Sequence, residues 1–216
     1  MTHLKRQNAP KSWPIPRKGT TFVVRPNFGF SKGIPLLIIL RDMLKIAENK
    51  KEVKKAIYMK NIIINGRTAR DEKEGIFLFD TLNIIPTKKH YRIILSQKGK
   101  FDLEEIKEHE SDYKISKIIG KKILKGKEVQ LNLSDGRNFL SDIKCKVNDS
   151  ILINLKNKKI EKCLALRENA NVFVFAGKHS GAKGKIEKID LEKKIASINK
   201  GNENINVLIK QFMVIE

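Results

Sequence analysis

Four histidines, two cysteines and a run of carboxylates are the residues of this 216-residue chain whose types could hold a metal or move a proton. His3, His90, His109 and His179 stand in four separate regions, and none belongs to a ligand-spaced grouping with Cys, Asp or Glu. A zinc site is built from several such side chains at short, fixed spacings, so none is expected. Cys145 and Cys163 are 18 positions apart with no Cys-x-x-Cys or Cys-x-x-His partner. That excludes a disulfide scaffold and a zinc ribbon, and fits a reducing cytosol. Residues 102–112 carry six carboxylates without the Asp-x-Asp-x-Asp-Gly pattern of a calcium loop; they read as a solvated acidic linker, helix or loop. Nothing supports a Ser/His/Asp site. The expectation is a protein without catalytic residues, metal, cofactor or small-molecule substrate.

Phosphate chemistry is better supplied. The run Val172-Phe-Val-Phe-Ala-Gly177-Lys-His-Ser-Gly181-Ala-Lys-Gly184-Lys-Ile186 joins an alternating strand to a glycine-rich basic turn. Gly181 and Gly184 let the backbone approach an anion closely, and Lys178, Lys183 and Lys185 supply the charge. A Walker loop fails here, because Ile186 follows Gly184-Lys185 and His179 stands five before Gly184. The Gly181-x-x-Gly184 spacing imitates a KH clamp, but strands rather than helices flank it. A loop that only turns the chain is the competing reading. A second basic constellation comprises Arg41 with Lys45, Lys50 with Lys54, and Lys51 with Lys55, each pair at i,i+4 and so on one helix face, followed by Arg67 and Arg70. A merely solvated face competes with RNA contact there.

The charge balance selects between these readings. Lys and Arg number 45 against 24 Asp and Glu, giving +21 and a pI near 9.9. The excess is uneven. Residues 1–35 hold seven basic side chains and no acidic one, and the first carboxylate is Asp42. Residues 36–100 hold 15 basic to 7 acidic, residues 101–168 hold 15 to 12, and residues 169–216 hold 8 to 5. Such clustering points to a polyanion, since each neutralised phosphate releases condensed counterions. A membrane partner is not expected, because no amphipathic helix accompanies the basic tail and the longest apolar run, residues 35–40, is far too short to span a bilayer. No apolar segment follows the basic N-terminus, which argues against a secretory signal.

Several kinds of element must position these groups. Residues 1–35 contain five of the six prolines, with Trp13 and three phenylalanines. Proline removes donors and disfavours helix before it, so this segment reads as an arm, disordered alone and ordered on a partner. Lys5, Arg6, Lys11, Trp13, Arg17, Lys18 and Arg25 are its candidate RNA contacts. Leu36, Leu40, Met43, Leu44 and Ala47 recur at helical spacing, predicting one amphipathic helix from 36 to about 48. A second helix is expected over 50–58, after Asn49, with Val53, Ala56 and Ile57 inward and the four lysines outward. Strands follow at 62–64, 76–79, 81–85 and 91–95, with a tight turn at Asn65-Gly66. Beyond residue 101 all is β, with strands at 114–119, 128–133, 138–140, 150–155 and 160–166, then 172–175, 185–189, 196–199 and 205–209, with Gly201 and Asn202 in a turn.

Residues 36–96 resemble the S-four RNA-binding domain, a small αL motif domain, and residues 172–186 resemble the KOW motif of ribosomal proteins and elongation factors, an SH3-like barrel. Taken in order, the chain resembles the archaeal and eukaryotic small-subunit ribosomal protein family S-four-e. The residues that carry this are His3-Leu-Lys-Arg-Gln-Asn-Ala-Pro-Lys-Ser-Trp13, Pro35-Leu-Leu-Ile-Ile-Leu-Arg-Asp42, Leu44-Lys-Ile-Ala-Glu-Asn49, Tyr91-Arg-Ile-Ile-Leu95, Lys98-Gly-Lys-Phe101, Ser134-Asp-Gly-Arg137 and Val147-Asn-Asp149. It departs from the family at Asn65-Gly66-Arg67, where Asp-Gly-Lys is usual. The resemblance implies an α+β, mostly β protein. It would have a basic extension at 1–35, an S-four-type domain at 36–100, a small β-barrel-like central domain at 101–168 and an SH3-like KOW barrel at 169–216. It implies a structural constituent of the small subunit, in the cytoplasm, bound to small-subunit ribosomal RNA and to neighbouring ribosomal proteins. An RNA-modifying enzyme that carries an S-four module, and a KOW-type transcription factor, are the alternatives.

Overall fold

Five consecutive apolar residues, Leu36 to Leu40, are each at most 3% exposed. A helix apolar on every side belongs in a core, not on a surface, and here the helical segment is short. An α-helical turn at Leu36–Ile38 passes into a wider π-type turn at Ile39–Met43, closed by Leu44 N–H donating to Ile39 O at 2.9 Å. Lys45 then takes a positive φ of 54° and ends it. The amphipathic helix expected over 36–48 is therefore wrong in length and in kind. Full burial overrode the stripe, and the left-handed Lys45 lies off the helix.

The computed structural model describes residues 3–126, 128–141, 143–201 and 203–215. The chain is mostly β and divides into two units, Met1–Ser96 with Lys100–Asp112, and Gln97–Gly99 with Tyr113–Glu216. Asn202 lies outside the described residues. No helix among the described residues is long and apolar enough to cross a membrane, and among them no group of three or more His, Cys, Asp or Glu could hold a metal ion.

In the first unit a five-stranded antiparallel sheet runs in the order Arg67–Thr68, Ile62–Ile64, Thr81–Ile84, Lys89–Leu95 and Phe101–Ile106. The last strand is a finding against the expectation of an acidic linker at 102–112. Phe101 pairs with Leu95 and Ile106 with His90, so these carboxylates edge a sheet, and only Glu108–Asp112 forms a 3-10 turn. The expected break at residue 100 thus falls within a hairpin. The strand expected at 76–79 shrinks to Gly75–Ile76, which pairs with Ile34–Pro35, because Phe79 adopts a positive φ of 60°.

The arm is folded into this unit. Leu4 pairs with Val23 and Lys5 with Phe22. Trp13 is 2% exposed; its Nε1–H donates to Gly33 O at 3.0 Å, and its ring meets Phe30 edge-on at 6.1 Å. Phe101 N–H donates to Ser12 O at 2.8 Å. The arm expected to be disordered alone is instead anchored by its tryptophan. Proline prevents long regular structure but does not prevent an aromatic side chain from filling a core.

The second unit carries two five-stranded antiparallel sheets. One runs Asn138–Leu140, Val129–Leu133, Tyr113–Ile123, Ser150–Asn154 and Lys159–Leu164; the other runs Glu203–Leu208, Ile195–Lys200, Lys183–Asp190, Asn171–Val174 and Phe212–Val214. Each has its own core. Ile118, Leu131, Leu133, Ile151 and Ile153 fill the first, and Val172, Val174, Ile186, Ile198 and Phe212 the second. Lys117, 3% exposed, links them by donating to Ile209 O and Phe212 O, and Ser150 Oγ accepts from Val214 N at 3.0 Å.

Candidate nucleic-acid interface

The best-formed cationic surface is the helix Lys50–Tyr58 of the first unit. Asn49 caps it, its Oδ1 accepting from Lys51 N at 2.9 Å and Glu52 N at 3.1 Å, and Glu52 accepts in turn from Glu48 N at 2.8 Å. A cap that satisfies two first-turn donors, with the first-turn glutamate reaching back to the N–H ahead of the cap, fixes where a short helix begins. Val53 and Ile57 are buried, so Lys50, Lys51, Lys54 and Lys55 all reach solvent. They are not equivalent. Lys50 Nζ lies 2.9 Å and Lys54 Nζ 4.0 Å from Oε1 of Glu72, a carboxylate only 4% exposed as a residue. Among the described residues, no carboxylate stands within ion-pair distance of Lys51 or Lys55.

The hairpin after this helix turns at Asn65 (φ 50°) and Gly66 (φ 72°). Two left-handed residues match the twist of the flanking strands. Asn65 also accepts from Thr81 N at 3.1 Å through its side chain, which stitches the turn to the next strand. Arg67 and Arg70 are exposed. Arg41 and Lys45 do not share a helix face, because Lys45 is off the helix, and Arg41 is turned onto Asp42 at 2.8 Å.

In the arm, Lys5, Lys11, Arg17, Lys18 and Arg25 are exposed. Three arm residues are engaged within the protein itself, and of these Arg17 donates through Nη1 to Ala9 O at 3.2 Å while staying exposed. Trp13 is buried and so offers no ring face to a ligand. Arg6 donates to Thr20 O, Pro16 O and Thr20 Oγ1 at 2.7–2.9 Å, which turns its guanidinium onto the arm's own loop.

In the second unit, Lys178 lies in a turn closed by Ser180 N–H to Gly177 O and Gly181 N–H to Val174 O. Gly181 needs its positive φ of 88°. Gly184 does not. It lies in the strand Lys183–Asp190, where a Cβ would sit 2.4 Å from Asn199 O. Its role is close strand packing rather than a phosphate cradle. Lys183 and Lys185, two apart and therefore on one face, border a groove of about 680 Å³ with Asn169, Asn171 and Asn199.

The chain matches the model of Ribosomal family S4e over residues 87–160 and that of the RS4NT (NUC023) domain over residues 2–29. It is 35% identical to small ribosomal subunit protein eS4 of Methanocella arvoryzae, covering 87% of this chain and 80% of that protein. The chain belongs to the S4e family of ribosomal proteins. The eS4 protein of Archaeoglobus fulgidus is 37% identical, over 86% of this chain and 79% of its own length. The crystal structure of the 30S ribosomal protein S4e from Thermoplasma acidophilum superposes with a TM-score of 0.74 at 24% identity, covering 86% of this chain and 95% of that one, which shows a shared fold. The RS4NT match spans the segment that Trp13 anchors, so the stretch read as an arm ordered only on a partner is similar to a known domain.

One exposed side chain escaped the reading of the sequence. Tyr58, at the end of the lysine helix, is 89% exposed. Helical spacing could have found it, since burying positions 53 and 57 turns position 58 outward.

Proposed function

We propose that this chain is a structural constituent of the small ribosomal subunit, acting in the cytoplasm and holding small-subunit ribosomal RNA and neighbouring ribosomal proteins. One observation carries this: 35% identity, spanning four-fifths of its length, to a protein named small ribosomal subunit protein eS4. The family is one of ribosomal structural proteins, not of enzymes. The RNA contacts assigned are the exposed basic groups: Lys5, Lys11, Arg17, Lys18 and Arg25 of the arm, Lys51 and Lys55 with Arg67 and Arg70 beside them, and Lys178, Lys183 and Lys185. The helix followed by a tight hairpin supports an S-four-type module. The five short strands closed by Phe212–Val214 against Asn171–Val174 support an SH3-like KOW barrel. Phosphate contacts would supply affinity, and several weak sites acting together would supply position.

Cofractionation tests this reading. On a sucrose gradient in high salt the tagged chain should stay with the small subunit, whereas a modifying enzyme or a transcription factor would wash off to the top.

A further inference from the structure

Lys51, Lys55 and Tyr58 stand at i, i+4 and i+7 of the helix Lys50–Tyr58 and therefore lie in one stripe along its outer face. The rise of about 1.5 Å per residue sets successive members of that stripe roughly 6 and 4.5 Å apart along the axis, so two cations and an aromatic ring follow one another along one short track. The two lysines have no carboxylate within ion-pair distance among the described residues, while their neighbours Lys50 and Lys54 are drawn off to Glu72. Tyr58 ends the stripe at 89% exposure, the highest among the exposed large hydrophobic side chains. It is not alone. Met59 is 55% exposed, and Ile85 is 51% exposed and tied to the same end by its N–H donating to Asn61 O at 2.9 Å. Lys60 and Lys88, both exposed, complete the surroundings.

Exposed apolar side chains at a helix end that also carries exposed lysines are poorly suited to remain in water and well suited to one ligand. Paired RNA hides its base faces and would use only the lysines. A strand with an unpaired base can place its phosphates along Lys51 and Lys55 and lay the base on the tyrosine ring, the usual way proteins hold single-stranded RNA. We infer that Tyr58 is a stacking platform for an unpaired ribosomal RNA base whose 5′ or 3′ phosphates lie on Lys51 and Lys55. The inference rests on the RNA-binding reading above and adds to it the conformation of the RNA at this face.

The full chain and three variants, Tyr58→Ala, Tyr58→Phe and Lys51→Gln with Lys55→Gln, are titrated with an oligouridine 12-mer and with an RNA duplex of equal length. Tyr58→Ala should bind the oligouridine about fivefold or more weakly and the duplex as the parent does, and Tyr58→Phe should keep parental affinity for both. The lysine pair should weaken both RNAs. Parental affinity of Tyr58→Ala for the oligouridine would overturn the stacking role and leave the RNA-binding reading standing. Intact oligouridine binding with failed incorporation into the small subunit would also overturn it, assigning the patch to a protein neighbour. A parent chain that binds neither RNA would sink both readings together. Circular dichroism of each variant separates these outcomes from misfolding, since an exposed side chain should leave the spectrum unchanged.

Discussion

Lys117 is the residue whose environment is most at odds with its charge. Burial pushes its amine down to about 8, from an ordinary 10.5. Two backbone carbonyls accept its protons, and the Phe212 ring lies 5.4 Å from its Nζ. No carboxylate is among these partners, in contrast to Lys114, 2.5 Å from Asp135. Burial raises the Asp135 carboxyl, but the charge and hydrogen bond of Lys114, with the Arg137 N–H and guanidinium, together outweigh it and hold the group below the usual range. The linkage at Lys117 has a definite sign. The unfolded chain keeps this proton up to about pH 10.5 and the folded chain only to about 8, so between them the unfolded state binds more protons and folding stability rises with pH. Relative to Lys117→Met, the parent should therefore gain stability from pH 8 to 10.5, by on the order of 3 kcal/mol at most. Urea unfolding of both proteins across that window measures the difference; a flat difference would show that the amine is not desolvated in solution.

At the scale of the element, the lysine helix separates two tasks that its sequence presents as one. Lys50 and Lys54 neutralise Glu72, and removing them leaves a buried carboxylate without its cations, which costs about 1–3 kcal/mol. Among the described residues, Lys51 and Lys55 neutralise no carboxylate. Replacing Lys51 and Lys55 with Gln should thus leave the thermal midpoint unchanged and reduce the salt slope of ribosomal RNA binding by up to about 2, at roughly 0.9 or less per phosphate. Replacing Lys50 and Lys54 should lower the midpoint instead. Equal effects of the two pairs on both observables would show that the ion pairs to Glu72 do not form. The glycine-rich turn of the second unit divides in the same way. Gly181 is required by its φ and Gly184 by the nearness of Asn199, so valine at either position damages folding whether or not the turn meets RNA.

At the scale of the whole molecule, the net charge of +21 means that self-repulsion opposes compactness until a polyanion relieves it. The arm does more than add its cations to that repulsion. Its burial of Trp13 and Leu4, and the Phe101 N–H bond to Ser12 O, make it part of the first unit's core. Trp13→Ala should cost about 3–5 kcal/mol, lowering the midpoint of a unit of this size by more than about 10 °C. Deleting residues 2–33 should lower it at least as far. Differential scanning calorimetry of the free protein is the check, and an unchanged midpoint after deletion would return the arm to the status of a loose tail.

The sequence by itself determined the uneven cationic excess, the helix at Lys50–Tyr58, the turn at Asn65-Gly66 and the cores of most strands from residue 114 onward. Each of these is written locally: in charge composition, in a cap three residues from its partner, in two residues that tolerate positive φ, or in apolar alternation. The tertiary structure alone decided which cations are free. Glu72 selects Lys50 and Lys54 from four lysines that read alike, and Thr20 and Pro16 turn Arg6 inward from a row of arm cations. It decided that residues 101–106 pair with Lys89–Leu95 although their carboxylates suggest a linker, because an edge strand can keep one face in water. Phe212–Val214 shows the same limit from the other side. Three apolar residues carry too short a pattern to announce a strand, and only the open edge of Asn171–Val174 makes them one. Pairing between distant segments sets these outcomes, and no local pattern in either segment names the other.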